Sequence, residues 1–72
     1  MFSRNLIRLR RAKGFTQEDL ANEADIDRAY ISRLEAGRRY AGLEIIGKLA
    51  EALEVDPAEF LKVPVRKGKR GA

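Results

Sequence analysis

The chain of 72 residues predicts an all-α fold, a compact bundle of five helices. Apolar residues recur three or four positions apart, capping residues stand just ahead of these stretches, and glycine follows the first and third of them. A chain of this length forms one domain with a small core. Because it contains no Cys and no His, it lacks both a disulfide framework and the usual zinc ligands, and its stability must come from helix packing or association.

The first helix is predicted within residues 2–14. Ser3 is a candidate N-cap, Leu6 and Leu9 share one face, and Gly14 ends the helix in the C′ position. Only one residue then precedes the next cap, so the first two helices must be close neighbours.

The stretch 16–37 predicts two short helices joined by a tight turn, and the rest of the chain is organised around it. Thr16 and Asp27 are the N-caps of these helices, and Gly37 ends the second of them. The second helix is therefore expected over residues 28–36.

One face of this second short helix is small and basic. Ile31 and Leu34 define its buried side, which leaves outward Arg28, Ala29, Ser32, Arg33 and Ala36. Arginines separated by small residues can approach a surface closely and donate in pairs to guanine or phosphate oxygens. The alternative is that both arginines are ordinary solvated charges.

A fourth and a fifth helix are predicted after a charged, glycine-containing loop. Asp56 and Pro57 introduce the short last helix, residues 57–62. The fourth helix lacks a Ser or Thr cap, and its apolar stripe consists of Leu43, Ile46, Leu49, Ala50 and Leu53. We assign residues 1–62 to the domain and residues 63–72 to a basic tail that we expect to be disordered.

Charge and composition restrict the function classes. The net charge is +4 and the pI is near 9.9, which favours an anionic partner. No His or Cys is present for nucleophilic or acid-base catalysis, and the adjacent Glu18 and Asp19 point in different directions on a helix. We therefore expect no enzyme activity, no cofactor and no metal. The segment 42–48 resembles a phosphate-binding loop, but Leu49 replaces its final Ser or Thr. No stretch has the features of a membrane span or a signal peptide, and we expect cytoplasmic residence.

The run TQEDLA, the apolar Ile26 and the run RAYISRLEAG together resemble the phage repressor and Cro-like helix-turn-helix domains of the XRE family. The resemblance covers residues 6–61 and implies a lambda-repressor-like fold and DNA binding in a prokaryotic or phage-encoded regulator. The segment DRAYIS is also similar to the controller proteins of restriction-modification systems.

The resemblance implies a role for individual residues. Those matching positions that face bases in the major groove are Arg28, Ala29, Ser32 and Arg33. Those matching contacts to the DNA backbone are Thr16, Gln17, Tyr30, Arg38, Arg39 and Tyr40. For the two tyrosines the alternatives are a flank packed on the first helix and a loop anchor.

Two further expectations concern structure. The resembling proteins usually place Gly where this chain has Asp25, a position that often needs positive φ. Glu35 falls on the flank nearest the buried side of its helix, so its charge needs a partner. The resembling repressors pair an Arg and a Glu at positions matching Arg10 and Glu35, and such a pair would hold two helices together.

The predicted function is a double-stranded DNA-binding transcriptional regulator, such as a repressor, that reads a pseudo-palindromic operator as a homodimer. The alternative is an antitoxin-like or other protein-interaction module on the same fold. The expected dimer contacts come from the last two helices, with Ile45 the best candidate among Leu43, Ile45, Phe60, Leu61 and Val63.

Overall fold

The structure is a computed structural model that describes residues 2–62. Its elements are α1 (Phe2–Ala12), α2 (Gln17–Ala24), α3 (Arg28–Glu35), α4 (Leu43–Leu53) and a 3₁₀ helix (Pro57–Leu61). The all-α prediction is confirmed, and residues 2–62 contain no β-strand. The predictions for the tail, including Val63 as a dimer contact, lie outside the described residues.

The count of five helices is wrong in its last element, which is a 3₁₀ helix rather than an α-helix. Asp56 caps it as predicted, accepting from the backbone N–H of Ala58. The segment ends in extended backbone at Lys62 after only five residues. Pro57 has no N–H to donate, and so short a segment closes i→i+3 bonds more readily than a full α-helical turn.

The starts of the helices match the predicted caps except at α1. That helix begins at Phe2, which places Ser3 inside its first turn rather than at the cap. Thr16 caps α2 in a reciprocal capping box with Asp19, and the side chain of Asp27 caps α3. Because each cap satisfies backbone N–H groups that have no partner within the helix, these residues set where α2 and α3 begin.

The core contains side chains from every element. Its large buried apolar residues are Leu6, Leu9, Leu20, Ile31, Leu34, Leu49, Leu53 and Phe60. Leu43, which we expected in the α4 stripe, is 89% exposed, so that part of the prediction is wrong. It is the first residue of α4 and lies at the edge of the helix's buried arc, where helical periodicity alone does not ensure that a neighbouring helix covers it.

A buried amide that sequence reasoning missed attaches the end of the domain to α1. The Nδ2 group of Asn5 donates to the carbonyl oxygens of Phe60 and Lys62, both at 2.8 Å. The ring of Phe2 packs against that of Phe60, with centroids 5.3 Å apart. A buried polar group needs such partners, so Asn5 fixes the 3₁₀ helix on α1.

The turn between α2 and α3 contains the expected residue with positive φ. Asp25 lies in the left-handed region, with φ of 57° and ψ of 50°. Its backbone N–H and that of Ile26 point back to the carbonyl oxygen of Ala21, and the Ile26 bond measures 2.9 Å. These bonds close the turn and fix the direction in which α3 leaves α2.

We expect Asp25→Gly to be neutral or to raise the free energy of unfolding by up to about 1 kcal/mol, because glycine adopts this conformation without steric cost. Asp25→Ala is the matched control and is expected to destabilise by about 1 kcal/mol, since its Cβ keeps the strain and its side chain cannot bond locally. Thermal unfolding of both variants measures this. A clear fall in melting temperature for Asp25→Gly would contradict the prediction.

Candidate nucleic-acid interface

The outward face of α3 is exposed along its whole length. Ile31 and Leu34 are completely buried, and this orients the opposite side of the helix to solvent. The side chains exposed there are Arg28, Ala29, Ser32 and Arg33, the four residues predicted to face bases. The helix therefore presents an arginine near each end of a shallow surface made of small side chains.

The C-terminal end of α3 is attached to α1 by an ion pair. Arg10 donates from Nε to Oε2 of Glu35 at 2.6 Å and from Nη2 to Oε1 at 3.0 Å. Its Nη1 donates to the carbonyl oxygen of Phe15 at 2.8 Å. The two bonds to Glu35 make the contact bidentate. Only 11% of the Arg10 side chain and 6% of the Glu35 side chain are exposed, so the contact is also largely shielded from water.

The hydrogen bonds that Arg10 donates to Glu35 raise the pKa of the Arg10 guanidinium, while burial of the guanidinium opposes that rise. An arginine is already charged at every pH at which proteins fold, so Arg10 remains a cation. The contact therefore holds the Arg10 cation directly against the carboxylate group of Glu35.

Gln17, predicted to contact the DNA backbone, also bonds to this ion pair. It is half-buried at the first position of α2, and its Nε2 donates to Oε1 of Glu35 at 3.0 Å. Thr16, just ahead of it, is exposed and accepts from the backbone N–H of Asp19 at 3.0 Å. Sequence reasoning treated Gln17 and Glu35 separately, and no sequence signal pointed to a bond between them.

The loop after α3 holds the remaining predicted contacts. Gly37, with φ of 76°, turns the chain, and the backbone N–H of Arg38 donates to the carbonyl oxygen of Arg33 at 2.9 Å. The guanidinium carbon of Arg39 lies 5.5 Å from the centroid of the Tyr30 ring, a cation–π contact. Arg38 and Arg39 are exposed, Tyr30 is half-buried, and the loop therefore adds two cations beside α3.

The last predicted contact, Tyr40, is 96% exposed. A side chain so open to solvent makes little contact with the rest of residues 2–62. The loop-anchor alternative for Tyr40 is therefore wrong for the described residues, whereas Tyr30 does pack partly against the core.

The structure also tests three other kinds of site over residues 2–62: a metal site, a phosphate-binding loop and a membrane span. No group of His, Cys, Asp and Glu within residues 2–62 could hold a metal ion. The segment that resembles a phosphate-binding loop is mostly helical, because Leu43–Leu53 is α4. Among the described helices, none has the length and apolar character needed to span a bilayer.

Comparison with known proteins identifies the class. A helix-turn-helix family model matches residues 6–60, so the chain belongs to the helix-turn-helix family of XRE type. These proteins are DNA-binding transcriptional regulators and not enzymes. The predicted resemblance to the phage repressor and Cro-like domains is therefore confirmed.

The relatives that the chain resembles include both controller proteins and other helix-turn-helix transcriptional regulators. The chain is 39% identical over 62 residues to the control protein C.BamHI of Bacillus amyloliquefaciens, covering 85% of this chain and 76% of that protein. It is 40% identical over 57 residues to an HTH-type transcriptional regulator, y4dJ, of Sinorhizobium fredii, covering 79% and 74%. The crystal structure of the restriction-modification controller protein C.AhdI from Aeromonas hydrophila superimposes with a TM-score of 0.80 at 44% identity, covering 82% of this chain and 89% of that one.

Proposed function

We propose that the protein binds specific double-stranded DNA sequences by placing α3 in the major groove, and that it acts in this way as a cytoplasmic regulator of transcription. The observation that supports this most directly is the outward face of α3. Its buried side is occupied by Ile31 and Leu34, so Arg28 and Arg33 project from the domain with only small side chains between them. A helix of this shape fits a groove about 12 Å wide.

The proposal divides the contacts by chemistry. Arg28 and Arg33 donate to base edges, where the pattern of acceptors differs between base pairs. Arg38 and Arg39, which lie in the loop beside α3, together with Gln17 at the start of α2, contact phosphates and set the position of the domain on the duplex. Thr16, Tyr30 and Tyr40 can each add a hydroxyl to that backbone contact.

A homodimer is part of the proposal, since one small domain reads too few base pairs and half-sites about 34 Å apart match two-fold related copies. Support comes from three large hydrophobic side chains that are exposed: Tyr40, Leu43 and Leu61. Leu61 and Tyr40 also line a groove of about 420 Å³. Two of the expected dimer contacts are less accessible than predicted. Phe60 is completely buried and cannot contact a partner, and Ile45 is half-buried against the core.

We expect the wild-type chain to sediment as a dimer at tens of micromolar and Leu61→Ser to shift it towards monomer, because the exposed leucine loses its apolar contact across the interface. Ala12→Ser, at an exposed position on α1, is the matched control and leaves the dimer unchanged. Analytical ultracentrifugation of each variant makes the comparison. A wild-type monomer both free and with operator DNA would contradict the dimer.

Selection of bound sequences from a random duplex library tests the proposed function as a whole. The expected result is a two-fold symmetric motif, which reports sequence specificity, symmetry and half-site spacing together. Recovery of no preferred sequence would overturn sequence-specific binding. Similarity to the control protein C.BamHI and to the restriction-modification controller protein C.AhdI supports control of restriction-modification genes as the narrower role. A selected motif that lies upstream of such genes would agree with this role.

A further inference from the structure

The carboxylate of Glu35 joins three helices at one point. Glu35 ends α3, Arg10 belongs to α1, and Gln17 begins α2. Oε1 of Glu35 accepts from both Arg10 and Gln17 at 3.0 Å, while Oε2 accepts only from Arg10 among these contacts. The side chain of Glu35 is only 6% exposed, so this carboxylate is a buried junction rather than a surface charge.

We propose that Glu35 is a positioning residue for DNA binding, which holds the side-chain amide of Gln17 in the orientation that contacts a phosphate. This inference rests on the proposed function and adds to it a residue that does not itself touch DNA. Glu35 acts through Gln17, and Arg10 acts through Glu35.

The chemistry of the two groups determines how the amide is oriented. An ionised carboxylate can only accept hydrogen bonds, so Gln17 must turn its NH₂ group, and not its carbonyl oxygen, towards Glu35. An amide nitrogen carries two N–H groups. One donates to Glu35, and the other is left to donate to an acceptor outside the domain, as a phosphate oxygen requires. A half-buried side chain that is already ordered loses less freedom when DNA binds.

Arg10 offsets the negative charge that the Glu35 carboxylate would otherwise present to the DNA phosphates. An unpaired Glu35 would repel phosphates, whereas the bidentate contact with Arg10 supplies a compensating positive charge at 2.6 Å. The third bond of Arg10, to the carbonyl oxygen of Phe15, fixes the guanidinium relative to the connection that leads into α2. Glu35 therefore serves as an acceptor for Gln17 without adding net charge to the surface.

The test is a double-variant cycle in DNA affinity, using Gln17→Met and Glu35→Gln on the selected operator and on a random duplex of equal length. In the wild-type background Gln17→Met is expected to weaken binding about tenfold, the scale of one hydrogen bond to a charged group. In the Glu35→Gln background the same change is expected to cost less than about threefold. The neutral amide oxygen is a weaker acceptor than a carboxylate oxygen and must also serve Arg10, so it holds Gln17 less well. Gln17→Met by itself is expected to weaken binding to both duplexes alike and to leave the salt slope unchanged, because that change removes no charge.

Asn22→Ala is the matched control, since Asn22 is another amide on α2 but is exposed. It is expected to leave affinity unchanged. An equal loss from Gln17→Met in both backgrounds would overturn the role of Glu35 while leaving the proposed function intact. Failure of the wild-type chain to bind any duplex would overturn the proposed function and this inference with it.

A second measurement does not depend on the stability of Glu35→Gln. Nitrogen relaxation of the Gln17 side-chain amide in the free wild-type chain is expected to give an order parameter of about 0.85, the value typical of a rigid backbone. The amide of Asn22 is expected to fall below about 0.6. Equal, low order at both amides would overturn the inference even if Glu35→Gln does not fold.

Discussion

Arg10→Met and Glu35→Leu are each expected to lower the free energy of unfolding by about 3 kcal/mol, and the double variant is expected to regain much of that loss. Each single change leaves an unpaired charge in a site where the side chains are only 11% and 6% exposed. The double change removes both charges and replaces them with apolar groups. For a small domain, 3 kcal/mol is a large fraction of the total stability.

Chemical denaturation of the four proteins in the cycle measures the coupling. The ion pair between Lys13 and Glu54 is the matched control, because it also joins distant parts of the chain but the Glu54 side chain is 74% exposed. Lys13→Met and Glu54→Gln are expected to show no measurable coupling, because solvent screens an ion pair this exposed. Coupling below about 0.5 kcal/mol for Arg10 and Glu35 would show that their contact does not stabilise the fold.

Arg28→Ala and Arg33→Ala are each expected to cost about 1 to 3 kcal/mol in binding to the selected operator and to relax preference at particular base pairs. Both side chains project from the exposed face of α3, and neither is required by the core. Stability is therefore expected to change little. Titration of each variant with the operator and with single-base-pair variants of it measures the loss position by position.

Arg38→Ala is the comparison that separates base contacts from phosphate contacts. Its side chain is exposed in the loop after α3, and a phosphate contact carries no sequence information. This variant is expected to weaken all duplexes alike and to reduce the salt slope by about one unit. If all three arginine variants weakened operator and random DNA equally, the assignment of bases to the α3 face would be wrong.

The local structure of the helix-turn-helix was predictable because it depends on residues close together in the sequence. Thr16 and Asp27 cap α2 and α3 as predicted, since a cap requires only a side-chain oxygen two or three residues before a free N–H. The positive φ of Asp25 followed from the resemblance. The outward orientation of Arg28 and Arg33 followed from helical periodicity once Ile31 and Leu34 were assigned to the core.

Some features were only partly predictable, because the burial of a side chain depends on an element that is distant in the sequence. The need of Glu35 for a partner followed from its place on the helix, and the resemblance supplied Arg10. The shielding of their contact from water comes from the packing of α1 against α3. The exposure of Leu43 has the same origin. Periodicity gives the direction of a side chain, whereas burial requires another element to lie there.

The sequence by itself determined the all-α class, the helix starts at Gln17 and Arg28, and the basic outward face of α3, because each follows from capping and from a period of 3.6 residues. Only the tertiary structure decided that Asn5 clamps the 3₁₀ helix and that Gln17 shares the carboxylate of Glu35. These contacts join residues that are 18 or more positions apart. Their partners are selected by how the helices pack, and no pattern within a single helix encodes that choice.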